Sequence, residues 1–133
     1  MLPPLPMLTI INRVGNFCLL LFVGLLAGCT PSGPRALLEG KRLLEEGKYA
    51  QAVEKLSLAT SLLATNANGW NYLGLACHCA GQTTNAAQAY QRALKMNPDL
   101  AEARFNLGCL YLEQKQLEPA KANLTTYTLR IPT

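Results

Sequence analysis

Apolar side chains recur at helical spacing through residues 33–133. In the middle of that stretch the series runs Trp70, Leu73, Gly74, Cys77, then Ala86, Tyr90, Ala93, with mostly polar positions between. Steps of three and four place such residues on one face of an α-helix. Gly47 and Gly81 mark turns, and Asn97-Pro98 closes a helix, because proline cannot continue one. The pattern predicts six helices, near 35–46, 49–63, 67–80, 83–95, 100–114 and 118–130. Upstream the pattern changes. Phe17 to Leu26 is a run of ten residues, apolar apart from Gly24, preceded by the lone charge Arg13. A membrane-spanning helix needs about 20 predominantly apolar residues, and Asn12, Arg13 and Asn16 stop this run from extending backwards. Its length and flanks are those of a signal-peptide core.

The helical part is one unit written three times. Gly40, Gly74 and Gly108 are spaced by 34 residues, as are Ala52, Ala86 and Ala120. Leu73 and Leu107, Gly47 and Gly81, Ala59 and Ala93, and Pro98 and Pro132 keep the same step. Six series in one register give three units, 33–66, 67–100 and 101–133. Residues 29–133 hold one Val (Val53) and one Ile (Ile131) among many Ala, Leu, Glu, Gln and Lys. Strands favour β-branched residues, so the fold class is all-α. A glycine inside a helix costs about 1 kcal/mol relative to alanine. Gly74 and Gly108 are therefore expected where another helix comes too close for a Cβ, with Ala86 and Ala120 as the small opposing surface.

These residues carry a resemblance to the tetratricopeptide repeat (TPR) family. In the middle unit Trp70, Leu73, Gly74, Ala86, Tyr90, Ala93 and Pro98 fall where that family's signature has Trp, Leu, Gly, Ala, Phe/Tyr, Ala and Pro. The third unit supplies Leu107, Gly108, Tyr111, Ala120 and Pro132, with Arg104 in the Trp position. The first keeps Gly40, Gly47, Tyr49, Ala52 and Ala59 but has Ala36 and Glu39 in the Trp and Leu positions. The resemblance implies a right-handed α-α superhelix of three helix pairs, a TPR-like solenoid, stacked because one pair cannot bury its apolar face alone. A second resemblance lies at Leu26-Ala27-Gly28-Cys29, which is similar to the lipobox of bacterial lipoprotein signal peptides. It implies removal of residues 1–28, acylation of Cys29, and a short tether over 29–35. Thr30, in place of Asp after the cysteine, implies the periplasmic face of the outer membrane. More than one acyl chain exceeds the single chain that anchors only marginally. Pro3, Pro4 and Pro6 sit oddly before such a leader and point to Met7 as the translation start.

In TPR proteins the first helix of each pair lines a concave groove where partners dock. Mapped onto that arrangement, unit one contributes Leu37, Lys41, Leu44 and Glu45. Unit two contributes Asn68, Asn71, Tyr72, Leu75, His78 and Cys79, and unit three Glu102, Phe105, Asn106, Cys109 and Leu112. Some members of the family clamp a C-terminal carboxylate with Lys, Arg and Asn. Only Lys41 and Asn106 fit that chemistry, and Glu102 would repel a carboxylate. The expected partner is another envelope protein or peptide, held through Asn side chains and the apolar Leu75, Phe105 and Leu112. A spacer, whose groove residues merely complete the packing between repeats, is the plainer alternative. Leu124, Tyr127 and Ile131 are expected to stay partly open at the last unit, which suggests self-association there or a fragment of a longer array.

Composition narrows the chemistry. The formal charge of +4 becomes +3 without Arg13, and the basic residues are scattered rather than clustered, so nucleic acid is not an expected partner. Acylation of Cys29 would leave three thiols, Cys77, Cys79 and Cys109. Cys77 and Cys79 are two apart on a helix and point about 200° from each other, so they cannot share an ion or a disulfide. Cys77 belongs to the core. A His78, Cys79 and Cys109 site, making the chain a periplasmic thiol or metal-binding protein, is the alternative from another class. Asn123-Leu124-Thr125 is a glycosylation acceptor only in a eukaryotic secretory setting. One histidine, no glycine-rich phosphate loop and no Ser/His/Asp set leave no case for catalysis, and no cofactor or resident metal is expected.

Overall fold

The computed structural model describes residues 31–130, so the signal-peptide core, the lipobox, Cys29, Ile131 and Pro132 lie outside the described residues. Six helices follow one another: α1 Ser32–Glu45, α2 Tyr49–Leu62, α3 Ala67–Cys79, α4 Thr83–Met96, α5 Ala101–Glu113 and α6 Leu117–Arg130. They pack as three pairs, α1·α2, α3·α4 and α5·α6, and successive pairs meet through α2·α3 and α4·α5. Among the described residues there is no strand; the architecture is an all-α helical-repeat solenoid. No described helix is long and apolar enough to cross a membrane.

Helix α1 begins at Ser32, inside the stretch expected to be tether. Pro34 is compatible with this because the first helical N–H groups have no intrahelical acceptor to lose. Gly33 is buried there, and a Cβ on it would lie 2.9 Å from Cγ of Leu63.

The turn inside each pair is built alike. Gly47 N–H donates to Leu44 and Lys48 N–H to Leu43; Gly81 and Gln82 repeat this with His78 and Cys77. Lys115 and Gln116 do so with Leu112 and Tyr111. These paired bonds cap the helix C-terminus through a left-handed residue. Gly47 (φ 73°) and Gly81 (φ 76°) take that conformation freely, whereas the third unit uses Lys115 at φ 58°.

The core runs through all three pairs and includes Leu43, Leu56, Leu73, Cys77, Tyr90, Leu107 and Leu110. The helical glycines open holes in it, but not for the expected partners. A Cβ on Gly40 would lie 2.6 Å from Leu56, on Gly74 2.6 Å from the Tyr90 ring, and on Gly108 2.8 Å from Leu124. Ala52, Ala86 and Ala120 are fully buried, yet the hole-filling side chains are 56, 90 and 124. This is a further 34-residue series, obscured in the sequence because Leu, Tyr and Leu differ chemically.

The Arg104 substitution at the Trp position also resolves in structure. Trp70 Nε1 donates to the carbonyl of Ala64 at 2.8 Å, and Arg104 Nη2 donates to the carbonyl of Pro98. Each reaches six residues back to tie the entering loop. Unlike side chains thus perform one hydrogen-bonding task.

Candidate functional site

The expected groove residues divide into those that line an open hollow and those that do not. Asn71, Tyr72 and Leu75 from α3 meet Ala101, Glu102, Phe105 and Asn106 from α5, around a space of about 330 Å³. Helices α3 and α5 are the first helices of successive repeats, and repeat stacking sets them side by side. Asn106 Nδ2 donates to Asn71 Oδ1 at 3.3 Å across the floor. Asn71 is only 7% exposed, so its expected role as a free peptide-binding amide is corrected: its oxygen is already engaged in joining two repeats.

The far wall is Tyr127 of α6. Its ring centroid lies 5.2 Å from that of Phe105, tilted by 45°, an arrangement aromatic rings favour. Tyr127 was expected only as open surface at the last unit. It stands 34 residues after Ala93 and 68 after Ala59, so a large ring replaces a residue that is fully buried in the earlier units. That departure within the repeat was the signal available in the sequence.

The remaining candidates lie elsewhere. Leu37 and Leu44 pack against the core, Asn68 is exposed in the first turn of α3, and Glu45 is exposed at the end of α1. Lys41 Nζ sits 4.9 Å above the Tyr72 ring. Leu112, 46% exposed, does not line the hollow. His78 Nε2 lies 2.8 Å from Glu113 Oε2, a partner one full repeat away that helical spacing within α3 alone could not reveal.

The thiols do not form a site. Cys77, Cys79 and Cys109 are all free, and among the described residues no group of three His, Cys, Asp or Glu side chains could hold a metal ion. Cys77 is 2% exposed in the core, and burial pushes its thiol up. Burial, with a smaller contribution from the Glu113 carboxylate, also raises Cys109. Raised thiols are poor nucleophiles and poor ligands at neutral pH. Cys79 is exposed.

Comparison with known proteins matches residues 37–92 to a profile described as tetratricopeptide repeat. Residues 76–115 match one described as TPR repeat, and residues 101–132 another described as tetratricopeptide repeat. The human cilia- and flagella-associated protein 70 is 28% identical over 110 residues, which is 78% of this chain and 10% of that protein. The protein ycf37 of Pyropia yezoensis is 41% identical over 56 residues, covering 42% of this chain and 32% of that one. The chain thus spans about a tenth and a third of these relatives. Among solved structures, MamA superposes with a TM-score of 0.75 at 24% identity, over 84% of this chain and 65% of that one. The second TPR of Spaghetti (RPAP3), bound to an HSP90 peptide, gives 0.73 at 19% identity, over 76% and 94%. At these identities the structures speak for the fold alone.

Proposed function

We propose, from the premise that residues 37–132 are tetratricopeptide repeats, that this protein is an interaction module whose α1–α3–α5 face receives a segment of another protein. The observation that carries the reading is the hollow. It brings together Asn71, Tyr72, Leu75, Glu102, Phe105 and Asn106, with apolar surface for a partner's side chains. Phe105 is 43% exposed, an aromatic of the kind that anchors interfaces. Structures of similar fold include a TPR bound to an HSP90 peptide, a TPR domain in complex with pHsp70 and the CopN–Scc3 complex, which supports the same use here.

The module works at a bacterial membrane surface in this reading, exported and held by acyl chains on Cys29 at the periplasmic face of the outer membrane. Leu26-Ala27-Gly28-Cys29 after a ten-residue apolar run supports this address. The test has two arms. Intact-mass measurement of the membrane-extracted protein should show loss of residues 1–28 and added acyl mass, both abolished by Cys29→Ser. Cross-linking in the envelope should capture a partner that is lost on Phe105→Ala, with helicity unchanged. An unmodified chain of full mass defeats the anchoring reading; a partner indifferent to Phe105 defeats the groove reading.

A further inference from the structure

The hollow has a charge preference opposite to that of the chain. Basic residues outnumber acidic ones 12 to 8, yet of the residues lining the hollow Glu102 is the one that carries a charge. Around it stand three aromatic rings, Tyr72, Phe105 and Tyr127. The negative faces of such rings attract cations within about 6 Å of the centroid, and a carboxylate beside them adds to the attraction. The chain already displays the effect: Lys41, from α1, places its ammonium over Tyr72, while no α1 residue lines the hollow. On the opposite wall of the repeat, Arg92 lies 4.7 Å over Trp70. At the floor, the Asn71 and Asn106 amides are tied to one another and so hold the two helices at a fixed separation.

Resting on the groove reading above, we infer that the hollow is a pocket for a cationic side chain, an arginine or lysine of the partner segment, stacked on the paired rings of Phe105 and Tyr127 and paired with Glu102. An arginine suits it better than a lysine, because a planar guanidinium stacks on rings and still donates to a carboxylate. An acidic tail is disfavoured at this position by Glu102.

Four fluorescein-labelled peptides, Ala-Leu-Ala-X-Ala-Leu-Ala with X arginine, lysine, norleucine or glutamate, test this by fluorescence anisotropy with the full chain in dodecyl maltoside micelles. The arginine peptide should bind about tenfold more tightly than the norleucine peptide, from a cation–π contact and one partly exposed ion pair. The advantage should shrink to about twofold in Glu102→Gln and in Tyr127→Leu, and survive in Lys41→Ala; circular dichroism checks that each variant is folded. Equal binding of the arginine and norleucine peptides, displaced by Phe105→Ala, overturns the cation pocket and leaves the groove standing. Tightest binding by the glutamate peptide also overturns it. No binding by any of the four overturns the pocket together with the groove.

Discussion

Replacing Gly74 by alanine is the sharpest probe of how the helices of one pair meet. The added Cβ would lie 2.6 Å from Cδ1 and Cε1 of Tyr90 and 3.0 Å from Cγ. The ring is fully buried, so it cannot swing into solvent, and α3 and α4 must separate. Overpacking of this kind costs about 1–3 kcal/mol, while alanine returns up to about 1 kcal/mol of helix propensity. The net expectation is a loss of about 1–2 kcal/mol, with a midpoint falling by about 4–8 °C per kcal/mol for a domain of this size. Gly69→Ala, five residues earlier in the same helix, is the control. Its Cβ would meet nothing nearer than 3.7 Å, so the same chemical change should be neutral or stabilising by up to about 1 kcal/mol. Urea titration followed by far-ultraviolet circular dichroism measures both. A Gly74→Ala protein as stable as the parent would refute the packing argument. So would additivity with Tyr90→Ala, because removing the ring should erase most of the penalty.

Three further outcomes are expected. Tyr90 Oη is buried and has no hydrogen-bonding partner among the described residues, so Tyr90→Phe should leave stability unchanged or raise it by about 1 kcal/mol in the same titration. Lys115 holds a left-handed backbone where Gly47 and Gly81 stand in the other units. Lys115→Gly should stabilise by about 0.5–1 kcal/mol, and Gly81→Ala should cost about as much, both read from thermal melts. Cys77, Cys109 and Tyr90 are all raised by burial from ordinary values of 9.0, 9.0 and 10.0. Their protonated forms are the ones the fold tolerates, so their contribution to stability should be flat below about pH 9 and fall as pH climbs above it. Under native conditions an iodoacetamide time course should label exposed Cys79 first and Cys77 last.

The hollow was partly legible. The resemblance to TPR proteins implied that Asn71, Tyr72, Leu75, Glu102, Phe105 and Asn106 of the first helices line one groove, and the structure brings them together. The spacing could not tell which polar groups remain free: Asn71 is engaged by Asn106, and His78 by Glu113, through contacts between repeats. Tyr127, expected to stay partly open, does so, but it was not counted in the groove because it sits on a second helix.

The sequence by itself determined the helices, the 34-residue period and the glycine turns, because each depends on local backbone preference and on which face is apolar. Only the tertiary structure decided that Leu56, Tyr90 and Leu124 fill the holes at Gly40, Gly74 and Gly108, that Arg104 takes over Trp70's hydrogen bond, and that Phe105 and Tyr127 close the hollow around one carboxylate. These outcomes turn on which side chains meet across separate helices. A repeat pattern records where a residue recurs, whereas the fit between unlike side chains is settled by the distance at which the helices pack.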